Sequence, residues 1–205
     1  MRDLPMTLAA LVLGGWLCGF AADRFCGQTS YSRRTVIALC TTLLAIWARA
    51  VLPAGFHFAS YFLAGALGVL TVTDLRHMRL PDLVTLPLFL AGLALAVWIP
   101  GLSLWDRALG ALLGYGSFAG LAYLYRRYSG RDGLGLGDAK LMAAAGSWLG
   151  GTALPSVVLI ASLLALTWVL LRALQRADTW RQPLPFGPAL AAAFWLVWLY
   201  GPISF

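Results

Sequence analysis

Uncharged apolar segments long enough to cross a lipid bilayer follow one another along this chain, with only short polar gaps between them. Hydrophobic residues make up 60% of the 205 residues and charged residues 11%, whereas a soluble domain carries about a quarter charged residues. One soluble core of this size could not bury so much apolar surface. The sequence therefore predicts an all-α polytopic membrane helix bundle whose outer surface is covered by lipid.

The sequence predicts eight membrane spans; a full span takes about 17 to 25 residues, and the sixth predicted span is shorter than that. They are residues 4–22, 35–52, 56–73, 83–98, 108–125, 139–149, 155–171 and 186–200. The first is expected to be a retained span and not a cleaved signal peptide. The sixth and seventh come from one uncharged run, 141–171, which as a single helix would measure about 46 Å. Gly150, Gly151 and Pro155 predict that this run is broken into two helices.

The basic residues predict the orientation of these spans. With eight crossings, 12 of the 15 Lys and Arg residues fall in gaps on one side of the membrane. The positive-inside rule assigns that side to the cytoplasm and both termini to the periplasm. The net charge of +7 is therefore explained by topology, and no nucleic-acid partner is expected.

The metal-ligating residue types are sparse. Cys18, Cys26 and Cys40 form no CxxC pair, and the only histidines, His57 and His77, fall on opposite faces of the membrane in this topology. We expect no disulfide framework, no metal site and no cofactor.

All eight acidic residues are Asp, and most have a simple structural interpretation. Asp82 and Asp106 precede apolar runs and could cap helices. Asp74 ends the third span, where the helix dipole opposes a negative charge by a few tenths to about 1 kcal/mol, and membrane depth adds a further cost. Asp74 is either an interfacial residue paired with Arg76 or Arg79 or a functional carboxylate.

Asp138 follows three glycines at alternate positions: Gly133, Gly135 and Gly137. An N-cap would explain the aspartate alone. The glycines are more than a cap needs, because they permit positive φ angles and the close approach of another backbone. Such an edge suits a protease, which binds its substrate as an extended strand.

Topology relates Asp74 to Asp138. The chain crosses the membrane twice between them and returns to the same face, so the two carboxylates could meet at the cytoplasmic ends of their helices. Two carboxylates in contact tend to share one proton. The ionised partner can activate water and the protonated partner can polarise a peptide carbonyl, which is general acid–base hydrolysis.

Three blocks of sequence resemble the type IV prepilin peptidases, which are GxGD-type membrane aspartic proteases. The first begins at Asp74 and includes Pro81 and Asp82; the second is Gly135-Leu-Gly137-Asp138-Ala-Lys140, continued by Gly146-Ser-Trp-Leu-Gly150; the third is Pro185-Phe186-Gly187-Pro188. The resemblance covers residues 56–205. It implies that Asp74 and Asp138 are the catalytic dyad and that Gly135, Gly137, Lys140, Phe186, Gly187 and Pro188 bind substrate.

The resemblance also implies a substrate and a location. The substrates would be prepilins or pseudopilins of type IV pili or type II secretion, cut after a short basic leader at the cytoplasmic face of a bacterial inner membrane. The expected organisation is a single domain over 1–205, with N-terminal spans in 1–55 and a catalytic core in 56–205. Longer family members carry a cytoplasmic domain, often with paired CxxC motifs and linked to N-methylation. Because this interval shrinks here to residues 23–34 and contains only Cys26, we expect no N-methyltransferase activity.

Two other classes of function are compatible with the same residues. A small proton- or cation-coupled transporter could use Asp74 and Asp138 as its ion site. Transport sites lie near mid-membrane, however, and these aspartates are predicted at one face. A non-catalytic assembly subunit could retain the fold, although both aspartates are intact.

Overall fold

A computed structural model describes residues 31–130, 135–175 and 185–203, and in this part every regular element is helical. The elements are α1 (Tyr31–Val51), α2 (His57–His77), α3 (Asp82–Trp98), α4 (Leu104–Ser129), α5 (Leu136–Leu149), α6 (Leu154–Gln175) and α7 (Gly187–Tyr200), with 3-10 turns at Ala54–Phe56 and Gly151–Ala153. The predicted helical class is confirmed for these ranges. The predicted first span, residues 4–22, lies outside them.

Three helical stretches within the described ranges are long and apolar enough to cross a membrane. They are Ala54–His77, Leu104–Ser129 and Gly151–Leu174, and shorter apolar helices occupy Ala38–Val51, Asp82–Trp98 and Gly187–Tyr200. Large apolar side chains on α4 and α6, such as Leu112 and Leu166, are exposed. Lipid is the solvent that such surfaces fit.

The chain divides into two compact units, Met1–Val84 and Thr85–Phe205. In the N-terminal unit, α1 packs on α2. A Cβ on Gly68 would lie 2.9 Å from Cγ2 of Thr41, so the glycine lets the two helices approach closely. Ala48, Leu63 and Leu70 are fully buried.

The C-terminal unit is organised around α5, a 14-residue helix about 21 Å long. It packs against α4, α6 and α7. Nine of its 14 residues are buried. Small buried residues, Ala139, Ala144, Ala145 and Ser147, alternate with the larger Leu141, Met142 and Trp148.

Glycines bring the backbones of α4 and α5 into near contact. A Cβ on Gly110 would lie 2.8 Å from Gly146 O, and one on Gly114 would collide with Met142 O. Because the numbers rise along α4 as they fall along α5, the two helices are antiparallel. Small residues at such crossings give van der Waals packing, which drives helix association where lipid removes the hydrophobic contribution.

Trp148 fixes the C-terminal end of α5. Its indole Nε1 donates to Leu88 O of α3 at 2.7 Å, and its ring meets Phe194 and Trp198 of α7 edge-on, with centroids 6.3 Å and 5.2 Å apart. Gly92 of α3 faces the same residue and leaves no room for a side chain. The last turn of α5 is thereby tied to α3 and α7.

The predicted break in the long apolar run is confirmed. α5 ends at Leu149, and Gly150 adopts φ +86° and ψ 169°, a conformation that is essentially restricted to glycine. Asp106 of α4 lies against this turn, and its Oδ1 accepts from Gly151 N at 3.4 Å. The chain therefore leaves α5 through a short 3-10 turn and starts α6 at Leu154.

Replacing Gly146 with Ala should destabilise the protein by about 1–3 kcal/mol, because the new methyl group would push into Gly110 O and force the backbones apart. Thermal unfolding in detergent measures the loss.

The control for this substitution is Gly116→Ala in α4, where a Cβ meets nothing within 4 Å. It should be neutral or stabilising by up to about 1 kcal/mol, because Ala favours the helix over Gly. Equal effects of the two substitutions would contradict the close crossing of α4 and α5.

Candidate active site

Asp74 lies on the buried side of the last turn of α2, with 6% of its surface exposed. The helix ends just beyond it, where Met78 adopts the left-handed conformation (φ 48°) and donates its N–H to Asp74 O at 2.9 Å. Thr73, also buried, turns its hydroxyl back to Val69 O and Leu70 O. A carboxylate in this position faces the negative end of the helix dipole. The positive charge of Arg76 in the same turn offsets part of that cost.

Asp138 is the third residue of α5 and is 9% exposed. The interpretation of Asp138 as an N-cap is wrong, because Gly135 occupies that position and accepts the Asp138 N–H at 3.1 Å. The carboxylate instead stands in the first turn, where the positive end of the dipole stabilises it by about 0.3–1 kcal/mol. Asp106 was likewise expected to be a cap; Ser103 caps α4, and Asp106 is its third residue.

The glycines before Asp138 need no positive φ where they are described. Gly135 has φ −71° and ψ 134°, and the φ of Gly137 is not positive either. A Cβ on Gly135 would lie at an ordinary 3.6 Å from Asp138 Oδ2. The positive φ that glycine permits is therefore not adopted at these two residues, and Gly133 lies outside the described ranges. Close approach of a substrate backbone stays a prediction.

Lys140 is half-buried and follows Asp138 by two positions on α5. Residues two apart on a helix point in different directions, so the two side chains leave α5 on different sides. The predicted contact of Lys140 with substrate stays a prediction.

The third block of sequence forms the start of α7. Phe186 is its N-cap residue, Gly187 is buried, and Pro188 stands in the first turn, where its missing N–H costs nothing. The Phe186 ring lies 6.4 Å from the ring of Phe118, centroid to centroid and tilted by 31°. Phe118 is a buried residue of α4 that the sequence analysis did not identify; the spacing Gly110, Gly114, Phe118 is the signal that could have found it.

The C-terminal unit brings the second and third blocks to the same end. Continuing the antiparallel register of Gly110 with Gly146 and Gly114 with Met142 by one turn places Phe118 level with Asp138. Phe186 packs on Phe118, and at the other end Trp198 packs on Trp148. Helices α5 and α7 are thus parallel, and both start at the Asp138 end. Asp74 belongs to the N-terminal unit and Asp138 to the C-terminal unit, so the dyad stays a prediction.

The two histidines are kept apart, as expected, because His57 begins α2 and His77 ends it, about 30 Å away along the axis. His57 Nε2 lies 2.9 Å from Leu52 O, and its ring stacks on Tyr61. Among the described residues, no three His, Cys, Asp or Glu side chains cluster as metal ligands do. The predicted lack of a metal or cofactor is left as a prediction.

Phe118 and Phe186 should be energetically coupled. In a double-mutant cycle with Phe118→Ala and Phe186→Ala, the interaction energy should be about 0.5–1.5 kcal/mol, as for other tilted aromatic pairs. Unfolding of the wild type, both single variants and the double variant in detergent gives this value. Strict additivity would show that the ring contact does not hold the start of α7.

Comparisons with known proteins agree with the resemblance. The model of the type IV leader peptidase family matches residues 61–170, a range that contains both Asp74 and Asp138. The chain is 37% identical to the prepilin leader peptidase/N-methyltransferase of Aeromonas hydrophila, over 96% of this chain and 69% of that protein. No solved structure matches the chain.

Proteins of the same name from two other organisms are also similar. The identity is 38% with that of Burkholderia pseudomallei strain 1026b, over 82% of this chain and 55% of the relative. It is 39% with that of Pectobacterium carotovorum subsp. carotovorum, over 87% and 64%. By the extent of the family match and the identity to longer relatives, this chain belongs to the type IV leader peptidase family and is a membrane peptidase.

Proposed function

We propose that this peptidase removes the basic leader of type IV prepilins or pseudopilins at the cytoplasmic face of a bacterial inner membrane, with Asp74 and Asp138 as its catalytic dyad. One observation carries the proposal: each aspartate is buried at the end of a helix, within the segment that matches the peptidase family. The relatives are named for prepilin leader cleavage, which supports the substrate class.

The proposed topology has eight spans and both termini in the periplasm. Between the end of α2 and the start of α5 lie two helices, α3 and α4; if each crosses the membrane, as proposed, the chain returns to the side it left. The antiparallel crossing of α4 and α5 and the parallel arrangement of α5 and α7 support alternating spans. They also support the proposal that the short sixth span crosses the membrane as the other spans do. The organisation as a single domain over 1–205, with a core in 56–205, remains a prediction.

The opposite helix ends suggest a division of roles. The first turn of α5 stabilises negative charge on Asp138, whereas the last turn of α2 disfavours it on Asp74. In the mechanism that follows, Asp138 is the ionised partner and takes a proton from water. The water oxygen attacks the scissile carbonyl while protonated Asp74 donates a hydrogen bond to the carbonyl oxygen. Collapse of the tetrahedral intermediate returns a proton to the leaving amine, so no covalent enzyme intermediate forms.

The substrate would lie across the membrane border. Its basic leader stays in the cytoplasm, its hydrophobic helix stays in lipid, and its scissile segment extends along Gly135 and Gly137. Lys140, Phe186, Gly187 and Pro188 complete the proposed substrate-binding set, in which the Phe186 contact with Phe118 suggests that Phe186 acts by holding the start of α7.

The comparisons give no support to a transporter that uses the same aspartates. The relatives' names also include N-methyltransferase. For this chain, the lack of that activity, like the lack of a nucleic-acid partner, stays a prediction; Cys26 lies outside the described residues.

Asp74→Asn and Asp138→Asn should each lower leader cleavage by at least about a hundredfold, since an amide cannot exchange the proton that acid–base catalysis needs. Incubating each purified variant with a prepilin and following the shortened product on a gel checks this. Both variants should remain in the membrane and unfold at nearly the wild-type temperature.

The matched control is Asp106→Asn. Asp106 is also the third residue of a helix, so the substitution removes the same charge–dipole interaction, and an amide oxygen can still accept from Gly151 N. Cleavage by Asp106→Asn should stay near the wild-type rate. Near-normal processing by either dyad variant would rule out the dyad, as would labelling that located Asp74 and Asp138 on opposite sides of the membrane.

Gly137→Val should reduce cleavage by about tenfold or more, because a branched side chain beside Asp138 would keep the substrate backbone from its reactive position. Steady-state kinetics with a prepilin measures the effect. Gly116→Val is the control, as a Cβ there meets nothing within 4 Å. Unchanged kinetics for Gly137→Val would remove the proposed role of the glycine edge.

A further inference from the structure

One residue other than glycine has a positive φ in the part of the chain that the structure describes. It is Met78, with φ 48° and ψ 38°, and it ends α2. Its N–H donates to Asp74 O at 2.9 Å, which closes the last turn of the helix. The left-handed conformation brings Cβ close to the following carbonyl oxygen, so it is unfavourable for every residue that carries a Cβ.

Helix α4 ends in the same way, but with glycine. Gly130 has φ 67° and ψ 8°, and its N–H donates to Arg126 O at 3.0 Å. Glycine is the usual residue at this position of a helix end, because it adopts the left-handed conformation without strain. The shape of the backbone therefore does not explain why α2 ends with a methionine.

An exposed apolar pair lies beside the buried Asp74 at the end of α2. Asp74 is 6% exposed, whereas the adjoining Leu75 is 55% and Met78 is 48% exposed. Leu75 and Met78 are three positions apart, which places their Cα atoms on the same side of the helix end. Met78 stands one helical turn beyond Asp74, about 5.4 Å along the axis. An apolar group bound at Asp74 would thus meet the Met78 side chain.

We propose that Met78 contacts the substrate, and that its side chain packs on the apolar residue that follows the scissile bond. The inference rests on the proposed function, in which Asp74 acts on that bond. Strained backbone persists at sites where the strained residue serves a function. The unbranched thioether of methionine adapts to apolar partners of different shapes. Met78 is therefore a specificity-determining residue for the apolar side of the cleavage site.

The charges next to Met78 favour this side of the cleavage site over the leader. Residues 76–79 carry two cations, Arg76 and Arg79, and no anion. Like charges repel one another, so this turn disfavours the basic leader. The hydrophobic helix of the substrate meets no such repulsion, and its first apolar residue is the one nearest to the scissile bond.

Met78→Gly separates the side chain from the backbone. Glycine keeps the helix stop and relieves its strain, so the midpoint of thermal unfolding in detergent should not fall and should rise by up to about 4 °C. Loss of the apolar contact should raise KM for a prepilin at least about tenfold, with kcat within about twofold of the wild-type value, as for an interaction made equally in the ground state and the transition state. Met78→Leu should keep KM within about threefold of the wild-type value, because leucine retains most of the apolar surface.

Gly130→Met is the matched control, because it introduces the same residue at the same kind of helix stop. A Cβ on Gly130 meets nothing within 4 Å, so the backbone strain is the only change. The unfolding midpoint should fall by about 2–4 °C, while KM and kcat stay at the wild-type values.

A substrate variant locates the contact. When the first apolar residue after the scissile bond is replaced by Ala, kcat/KM of the wild-type enzyme should fall about tenfold, and that of Met78→Gly by no more than about twofold. Equal losses in the two enzymes would overturn the contact. An unchanged KM for Met78→Gly would overturn it too, whether kcat stayed the same or fell. Met78→Asn, which also accepts the left-handed conformation, takes the place of Met78→Gly if the glycine variant does not insert.

Failure of this contact and failure of the dyad give different results. Asp74→Asn removes an acid–base group and should abolish turnover, whereas Met78→Gly leaves that group in place and should change KM. Normal cleavage by Asp74→Asn together with a raised KM for Met78→Gly would refute the dyad and leave the contact standing. An inactive Asp74→Asn together with an unchanged KM for Met78→Gly would do the opposite.

Discussion

The near contact of the α4 and α5 backbones is the interaction on which the C-terminal unit depends. Lipid solvates apolar side chains as well as a protein core does, so burying leucine gives little reason for two membrane helices to associate. Gly110, Gly114 and Gly146 supply the alternative, which is close van der Waals packing between main chains. This crossing sets the register of α5, and the register decides at what level Asp138 stands.

The short length of α5 follows from the same arrangement. Its last turn is held by Trp148 against α3 and α7, and its exit is fixed by Gly150 and Asp106. With a length of about 21 Å, α5 is shorter than the hydrocarbon core of a bilayer, which is about 30 Å thick. The first turn of α5, which carries Asp138, is therefore held at a fixed distance from this anchored end. The proposed hydrolysis needs a carboxylate that is fixed in this way.

The two aspartates have different surroundings because they lie at opposite ends of their helices. Asp74 closes α2 next to a left-handed Met78, and Asp138 opens α5 behind Gly135. Both residues are evident in the sequence, but whether Asp138 caps its helix is not, because Asp and Gly are both acceptable N-cap residues and spacing alone does not choose between them. The use of these glycines is equally open at the level of sequence, since glycines at alternate positions have the same pattern whether they bend the chain or make room beside it.

The sequence by itself determined the helical class, the position of seven helices, the break near Gly150 and the two candidate carboxylates. These follow from local properties: long uncharged runs, glycine and proline at the ends of helices, and the high cost of a carboxylate in lipid. The tertiary structure decided which glycines meet, that Phe118 packs on Phe186, and that α4 outreaches α5 at the Asp138 end. Such contacts depend on the distance between residues far apart in the chain, and no local pattern contains that distance.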